Sequence, residues 1–142
     1  SFVVFANLPQ VQAAVPMIAI PTFARRWQDL LDETAFSHAE WGRALASVAE
    51  QTQERTAYAQ QIDPAEKLLQ AAPRALLIQC GDFDTDQPKH YVIEFYRRLL
   101  PTYAAAPDRL KLNIYPERHY VSAAMEQDAT EWLCRHLGAQ TE

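Results

Sequence analysis

Ala75-Leu-Leu-Ile-Gln-Cys-Gly-Asp-Phe-Asp-Thr-Asp-Gln-Pro88 joins a short apolar run to a turn crowded with acids. The run is bounded by Pro73 and Gly81 and shows almost no polar alternation, which predicts a strand buried on both faces at the centre of a parallel sheet. A second stretch, Leu110-Lys-Leu-Asn-Ile114, alternates apolar and polar residues, which predicts a strand nearer an edge with one wetter face. It too runs into a polar turn, Tyr115-Pro-Glu-Arg-His-Tyr-Val-Ser122. Asp84 and His119 therefore each lie a few residues beyond a strand's carboxyl end, where open parallel sheets gather their reactive groups.

Working outward, Val11-Gln-Ala-Ala-Val-Pro-Met-Ile-Ala-Ile20 predicts a third buried strand, interrupted at Pro16 and ended by Pro21. Residues 22–72 then change to a helical pattern. Ser37-His-Ala-Glu40 reads as a capping box, Trp41, Leu45, Val48 and Ala49 keep near-helical spacing, and Asp63-Pro-Ala-Glu66 reads as a second start with Asp63 as N-cap. A helix is expected over 90–103, with Val92, Phe95, Tyr96 and Leu99 on one side. A last helix is expected from Ser122 as N-cap to Gly138 just past its end, burying Met125, Ala129, Trp132, Leu133 and Leu137. The order strand, helices, strand, helix, strand, helix predicts the α/β class: a mostly parallel sheet flanked by helices, with a helical cap-like insertion at about 22–72. Three strands leave an edge with unpaired backbone groups, so further strands are expected from another segment or another chain.

Composition removes several function classes. A chain of 142 residues with 49% apolar and 22% charged residues has the make-up of one globular domain. The net charge of −5, with 13 Lys plus Arg and no basic run, lacks the electrostatic footprint of a nucleic-acid binder. The most apolar stretch, 11–20, is half of the roughly 20 residues a membrane-crossing helix needs. Ser1-Phe-Val-Val-Phe-Ala6 carries neither an initiator Met nor the charged start of a signal peptide, so a natural N-terminus elsewhere and a cytoplasmic location are expected. Cys80 and Cys134 stand apart, without disulfide-framework or zinc spacing. Only Gly42, Gly81 and Gly138 occur, so GxGxxG, a P-loop and GxSxG are all absent, and no cofactor is expected.

A general base needs an imidazole held in one tautomer, and a carboxylate that accepts the Nδ1 proton both orients the ring and stabilises the imidazolium. Asp84 and His119 are the candidates for those two roles. Here the chain resembles the α/β-hydrolase family, in particular its small bacterial esterase and dipeptidyl-peptidase-like members. Gly81-Asp-Phe-Asp84-Thr-Asp-Gln-Pro88 is similar to that family's acid turn, Gly-x-x-Asp-x-x-Val-Pro, with Gln87 in place of Val. Tyr115-Pro-Glu-Arg-His119-Tyr-Val-Ser-Ala-Ala-Met125 resembles its histidine turn, with Glu117 and Arg118 where glycines are usual and one residue fewer. The resemblance covers the chain from about residue 11 and implies the carboxy-terminal half of the fold, with the helical insertion as the cap. It implies that the oxyanion loop and the nucleophilic serine lie upstream, outside these residues.

Other constellations carry less. Asp82, Asp84 and Asp86 alternate as in a calcium loop, but Gln87 and Ile93 occupy the places where that loop needs Gly and Glu, so no metal is expected. The same acids are reminiscent of an aspartyl-phosphate phosphatase loop, with Asp86 in place of its Thr. Asp84 alone also fits a turn-capping acid. Cys80 suits a small buried hydrophobe better than a nucleophile. His38 and His90 are expected at helix starts and His136 near a helix end. Phe23, Trp27, Phe36 and Trp41 are candidates to line an acyl pocket from the cap, against the commoner role of aromatics as core.

Two functions follow as expectations. One is the carboxy-terminal part of a serine hydrolase acting on carboxylic esters or short acyl substrates, completed by a missing segment or companion chain. The other is a non-catalytic, hydrolase-derived module that pairs with a partner or a second copy through its exposed sheet edge.

Overall fold

The computed structural model describes residues 2–37 and 49–138. Its elements are α1 (Phe2–Asn7), β1 (Ala13–Ala14), α2 (Phe23–Ser37), α3 (Ala49–Ile62), α4 (Ala65–Leu68), β2 (Ala75–Gly81), α5 (Lys89–Leu99), β3 (Leu110–Tyr115) and α6 (Ala123–Leu137). The chain divides into two compact units, Thr22–Asp63 and the remainder.

The larger unit is a mixed α/β structure built on a three-stranded parallel sheet in the order β1-β2-β3. β2 is buried at every position, as its apolar run, interrupted only by Gln79, leads one to expect. Because side chains alternate across a strand, it feeds two cores. Leu76, Ile78 and Cys80 join Phe2 and Phe5 of α1, Leu68 of α4, and Val92, Phe95 and Leu99 of α5. Ala75 and Leu77 join Ala13 and Trp132 of α6 on the other core. Helices therefore cover both faces of the central strand.

β3 runs beside β2 in register from Leu76↔Leu110 to Gly81↔Tyr115, so the two strands end together. Its predicted alternation holds at Leu110, which is buried, and fails at Ile114, which is 43% exposed. The strand expected over 11–20 is reduced to Ala13–Ala14 plus a single bridge from Met17 to Gln79. Pro16 has no N–H to give, although its carbonyl accepts from Gln79 N at 3.0 Å, and Ile18 turns the chain away with φ +49°.

The helices also differ in detail from expectation. The helix expected over 90–103 ends at Leu99, and residues Leu100–Tyr103 tighten into a 3₁₀ turn at Pro101. In α6, Met125, Ala129 and Trp132 are buried as expected, while Leu137 is 56% exposed. Ser122 holds the N-cap position of α6, but its hydroxyl makes no capping bond. The helical stretch at 22–72 is shared between the units: Ala65, Leu68 and Ala71 belong to the sheet's own core.

Arg74 fastens α1 to the sheet. Its Nη1 donates to the carbonyls of Phe5, Leu8 and Val11 at 2.7, 3.1 and 3.1 Å, and the guanidinium lies 4.2 Å over the Phe5 ring. A cation is well placed there, because the last carbonyls of a helix have no partners within it.

The smaller unit contains α2 and α3, bridged by a bond from Trp27 Nε1 to Thr56 Oγ1 at 2.9 Å. Asp63, expected to cap the helix that follows it, accepts from Ala24 N in the first turn of α2 at 2.9 Å. The N-cap of α4 is Pro64. The expected capping box at 37–40 lies outside the described residues, apart from Ser37 at the end of α2. No helix among the described residues is long and apolar enough to cross a membrane.

Candidate functional site

The common ending of β2 and β3 brings their two turns together. Asp82 N donates to Tyr115 O at 2.7 Å and Phe83 N donates to Glu117 O at 2.9 Å, so the acid turn is laced to the histidine turn through backbone. Gly81 makes this approach possible. A Cβ built there would sit 2.5 Å from Glu117 O and 2.8 Å from Arg118 O, so glycine is needed for space. The histidine turn is tight: Glu117 N donates to Tyr115 O at 2.7 Å and Tyr120 N to Arg118 O at 2.9 Å, which makes His119 the middle of a three-residue turn.

These turns place the Asp84 carboxylate against the His119 ring. Nδ1 lies 3.0 Å from Oδ2 and 3.2 Å from Oδ1. The Asp84 side chain is wholly buried and the His119 side chain 46% exposed, so the acid is shielded while the base reaches solvent. Asp84 Oδ1 also accepts from Asp86 N at 2.9 Å and Gln87 N at 2.8 Å. The turn-capping and histidine-orienting readings of Asp84 therefore hold together in one carboxylate.

Around the exposed ring lies an open recess of about 710 Å³ lined by Phe83, Thr85, Asp86, Arg118, His119 and Tyr120. Phe83 and Tyr120 present their rings largely to solvent. Tyr120 donates to the Glu117 carboxylate, which pushes its phenol above the ordinary range, and Lys89 pairs with Asp82 at the back of the acid turn. Asp84, Asp86 and His119 hold donor atoms within 4.8 Å of one another. A cation there would have to take Asp84 from the amides and the imidazole it already serves.

Cys80 lies under this site. Burial, partly offset by Lys89, pushes its thiol up to about 11, so it stays protonated and acts as a small apolar side chain. Phe23 and Trp27 are half-buried within the smaller unit, where the Trp27 indole is engaged by Thr56. The Phe36 side chain and Trp41 lie outside the described residues.

The sequence did not disclose a polar network beneath the histidine turn. Fully buried Gln79 donates through Nε2 to Tyr115 Oη at 2.7 Å and to Met125 O at 3.1 Å. Tyr115 Oη donates to Asp128 Oδ2 at 2.5 Å, and Asn113 Nδ2 donates to the same oxygen at 2.7 Å. Burial and the bond to Asp128 push the Tyr115 phenol above its ordinary range. The one available signal was an amide at position 79 in an otherwise apolar central strand, because a buried amide demands partners.

No protein-family model matches this chain, and no curated protein matches its sequence.

Proposed function

We propose that the chain supplies the acid and the base of a serine hydrolase of α/β-hydrolase type, acting on carboxylic esters or short acyl substrates. The observation that carries the reading is the Asp84–His119 pair at the ends of adjacent parallel strands, with the carboxylate buried and the ring open to the recess. Asp84 holds Nδ1 as the donor nitrogen, which leaves Nε2 to take a proton from a nucleophile. The sequence order of acid then histidine, each after its own strand, agrees with the resemblance of both turns to that family.

In this mechanism His119 Nε2 removes the proton of a serine hydroxyl as its oxygen attacks the substrate carbonyl. The imidazolium, stabilised by Asp84, then protonates the leaving alcohol. His119 next activates water, which releases the acyl group and restores the hydroxyl. Ser122 is not suited to be that nucleophile, since its hydroxyl is buried at the start of α6. The serine and the oxyanion donors come from residues beyond these 142, as a preceding segment or a companion chain. The resemblance to that family implies a cap role for the helical unit Thr22–Asp63, which lies between β1 and β2 in sequence.

Hydrolysis of a short p-nitrophenyl ester by the protein together with its serine-bearing part tests this. His119→Ala is expected to lower kcat by roughly 10⁶, as loss of a triad base does. Turnover that survives His119→Ala unchanged overturns the assignment.

A further inference from the structure

The histidine turn is a seven-residue loop, 116–122, with β3 before it and α6 after it. A loop of that kind holds a side chain to within a fraction of an ångström only if its two ends are fixed to each other and to the element carrying the partner group. Three bonds converge on one phenol oxygen to do this. Asp128 Oδ2, on the helix that follows the loop, accepts from Tyr115 Oη at 2.5 Å, on the last residue of the strand that precedes it. Asn113 Nδ2 donates to both groups, at 2.7 Å to the carboxylate and 3.1 Å to the phenol. Gln79 Nε2, on the strand that leads to Asp84, donates to the same phenol at 2.7 Å and also to Met125 O in the first turn of α6.

The same tyrosine acts through its backbone. Its carbonyl accepts from Asp82 N in the acid turn and from Glu117 N in the histidine turn, both at 2.7 Å. Tyr115 thus anchors acid turn, histidine turn and α6 at one residue, while neither Tyr115 nor Asp128 lines the recess.

We infer that Tyr115 and Asp128 are positioning residues: their side-chain bond locks the 116–122 loop so that His119 Nδ1–H stays directed at the Asp84 carboxylate. The inference deepens the hydrolase reading and rests on it for the kinetic consequence, but the geometric consequence is independent of any reaction. Without the phenol hydroxyl, Asp128 and Gln79 each lose a partner, the side-chain tie between α6 and β3 beneath the loop falls to the single Asn113–Asp128 bond, and the imidazole gains freedom to swing off the carboxylate. A misplacement approaching 1 Å at a reacting group costs up to about 100-fold in rate.

The test uses Tyr115→Phe, Asp128→Ala and Asp128→Asn. Phe removes one oxygen at constant shape. Ala at position 128 removes the acceptor from a half-buried helix site that favours Ala, so this variant carries the question if Tyr115→Phe does not fold. Asn keeps an acceptor oxygen for the phenol and is the rescue. The first readout is the downfield proton NMR resonance of His119 Nδ1–H, assigned by its absence in His119→Ala. The second is kcat and KM for a p-nitrophenyl ester in the protein with its serine-bearing part. Loss of the resonance in Tyr115→Phe and Asp128→Ala, its retention in Asp128→Asn, and a 10- to 100-fold fall in kcat with KM within twofold are expected. Retention of the resonance in folded Tyr115→Phe or Asp128→Ala overturns the inference. Loss of the resonance with no ester turnover in any form, wild type included, upholds the positioning role and rejects the hydrolase reading instead.

Discussion

Gly81→Ala puts a single methyl group where β2 meets the histidine turn. The new Cβ would lie 2.5 Å from Glu117 O, 2.8 Å from Arg118 O and 3.1 Å from Glu117 C, all of them backbone atoms that cannot rotate away. Relief to an ordinary contact requires the turn to retreat by about 0.5–0.9 Å, which stretches the 2.9 Å bond from Phe83 N to Glu117 O and carries His119 with it. The Nδ1 to Oδ2 separation of 3.0 Å then lengthens toward about 3.5–3.9 Å, at or beyond the limit of a hydrogen bond. Overpacking of a close site costs about 1–3 kcal/mol. The entropy that Ala removes from the unfolded chain returns about 0.4–1 kcal/mol, which leaves the sign destabilising. The net of about 0.6–2 kcal/mol lowers Tm by roughly 2–7 °C for a chain of this size. Circular-dichroism melts of wild type and variant measure it. A Gly81→Ala protein that melts within 1 °C of wild type, with its His119 Nδ1–H resonance intact, refutes the steric argument.

Arg74→Met keeps the bulk of the side chain but removes the donors to three carbonyls, and it should lower the unfolding free energy measured in urea by about 2–3 kcal/mol. Of the two cysteines, Cys134 is exposed and Cys80 buried with its thiol pushed up to about 11. A thiol reagent at pH 8 should therefore label one cysteine in the native protein and two in denaturant, and rapid native labelling of both contradicts the burial. Burial also pushes the phenol of Tyr103, whose hydroxyl donates to Arg74 O, up to about 12. Both groups have folded pKa values above their unfolded ones, so the stability they contribute is present below about pH 9 and is lost as pH rises through about 11 to 12. Melting temperature should fall across that alkaline range, and Tyr103→Phe should flatten the upper part of the fall.

The parts of the fold legible in the sequence were those with a strong local period. An apolar run closed by Pro73 and Gly81 marked β2, and alternation over 110–114 marked β3. Two parallel strands ending together were sufficient to expect Asp84 beside His119. What stayed hidden depended on tertiary partners. The run at 11–20 has the composition of a strand, but Pro16 and the left-handed turn at Ile18 leave two paired residues and a bridge. Helical periodicity over 22–72 gave no sign that Ala65, Leu68 and Ala71 pack in the core of the sheet. Ile114 and Leu137 satisfied their patterns and are nonetheless exposed, because a period identifies a face and not what covers it. Gly81 was legible as the end of a strand, whereas its steric role required the position of the 116–122 loop. Arg74, Gln79 and Asp128 gave no motif at all, since each works through groups far away in sequence.

The central claim is that Asp84 and His119 activate a serine. Fluorophosphonate labelling of the protein with its serine-bearing part, followed by peptide mapping, tests it most directly. The account predicts a single labelled serine outside these 142 residues, with the labelling rate lowered by roughly 10³ or more in His119→Ala and strongly lowered in Asp84→Asn. Labelling at the wild-type rate in His119→Ala, or no labelled serine in the wild-type protein, would contradict it.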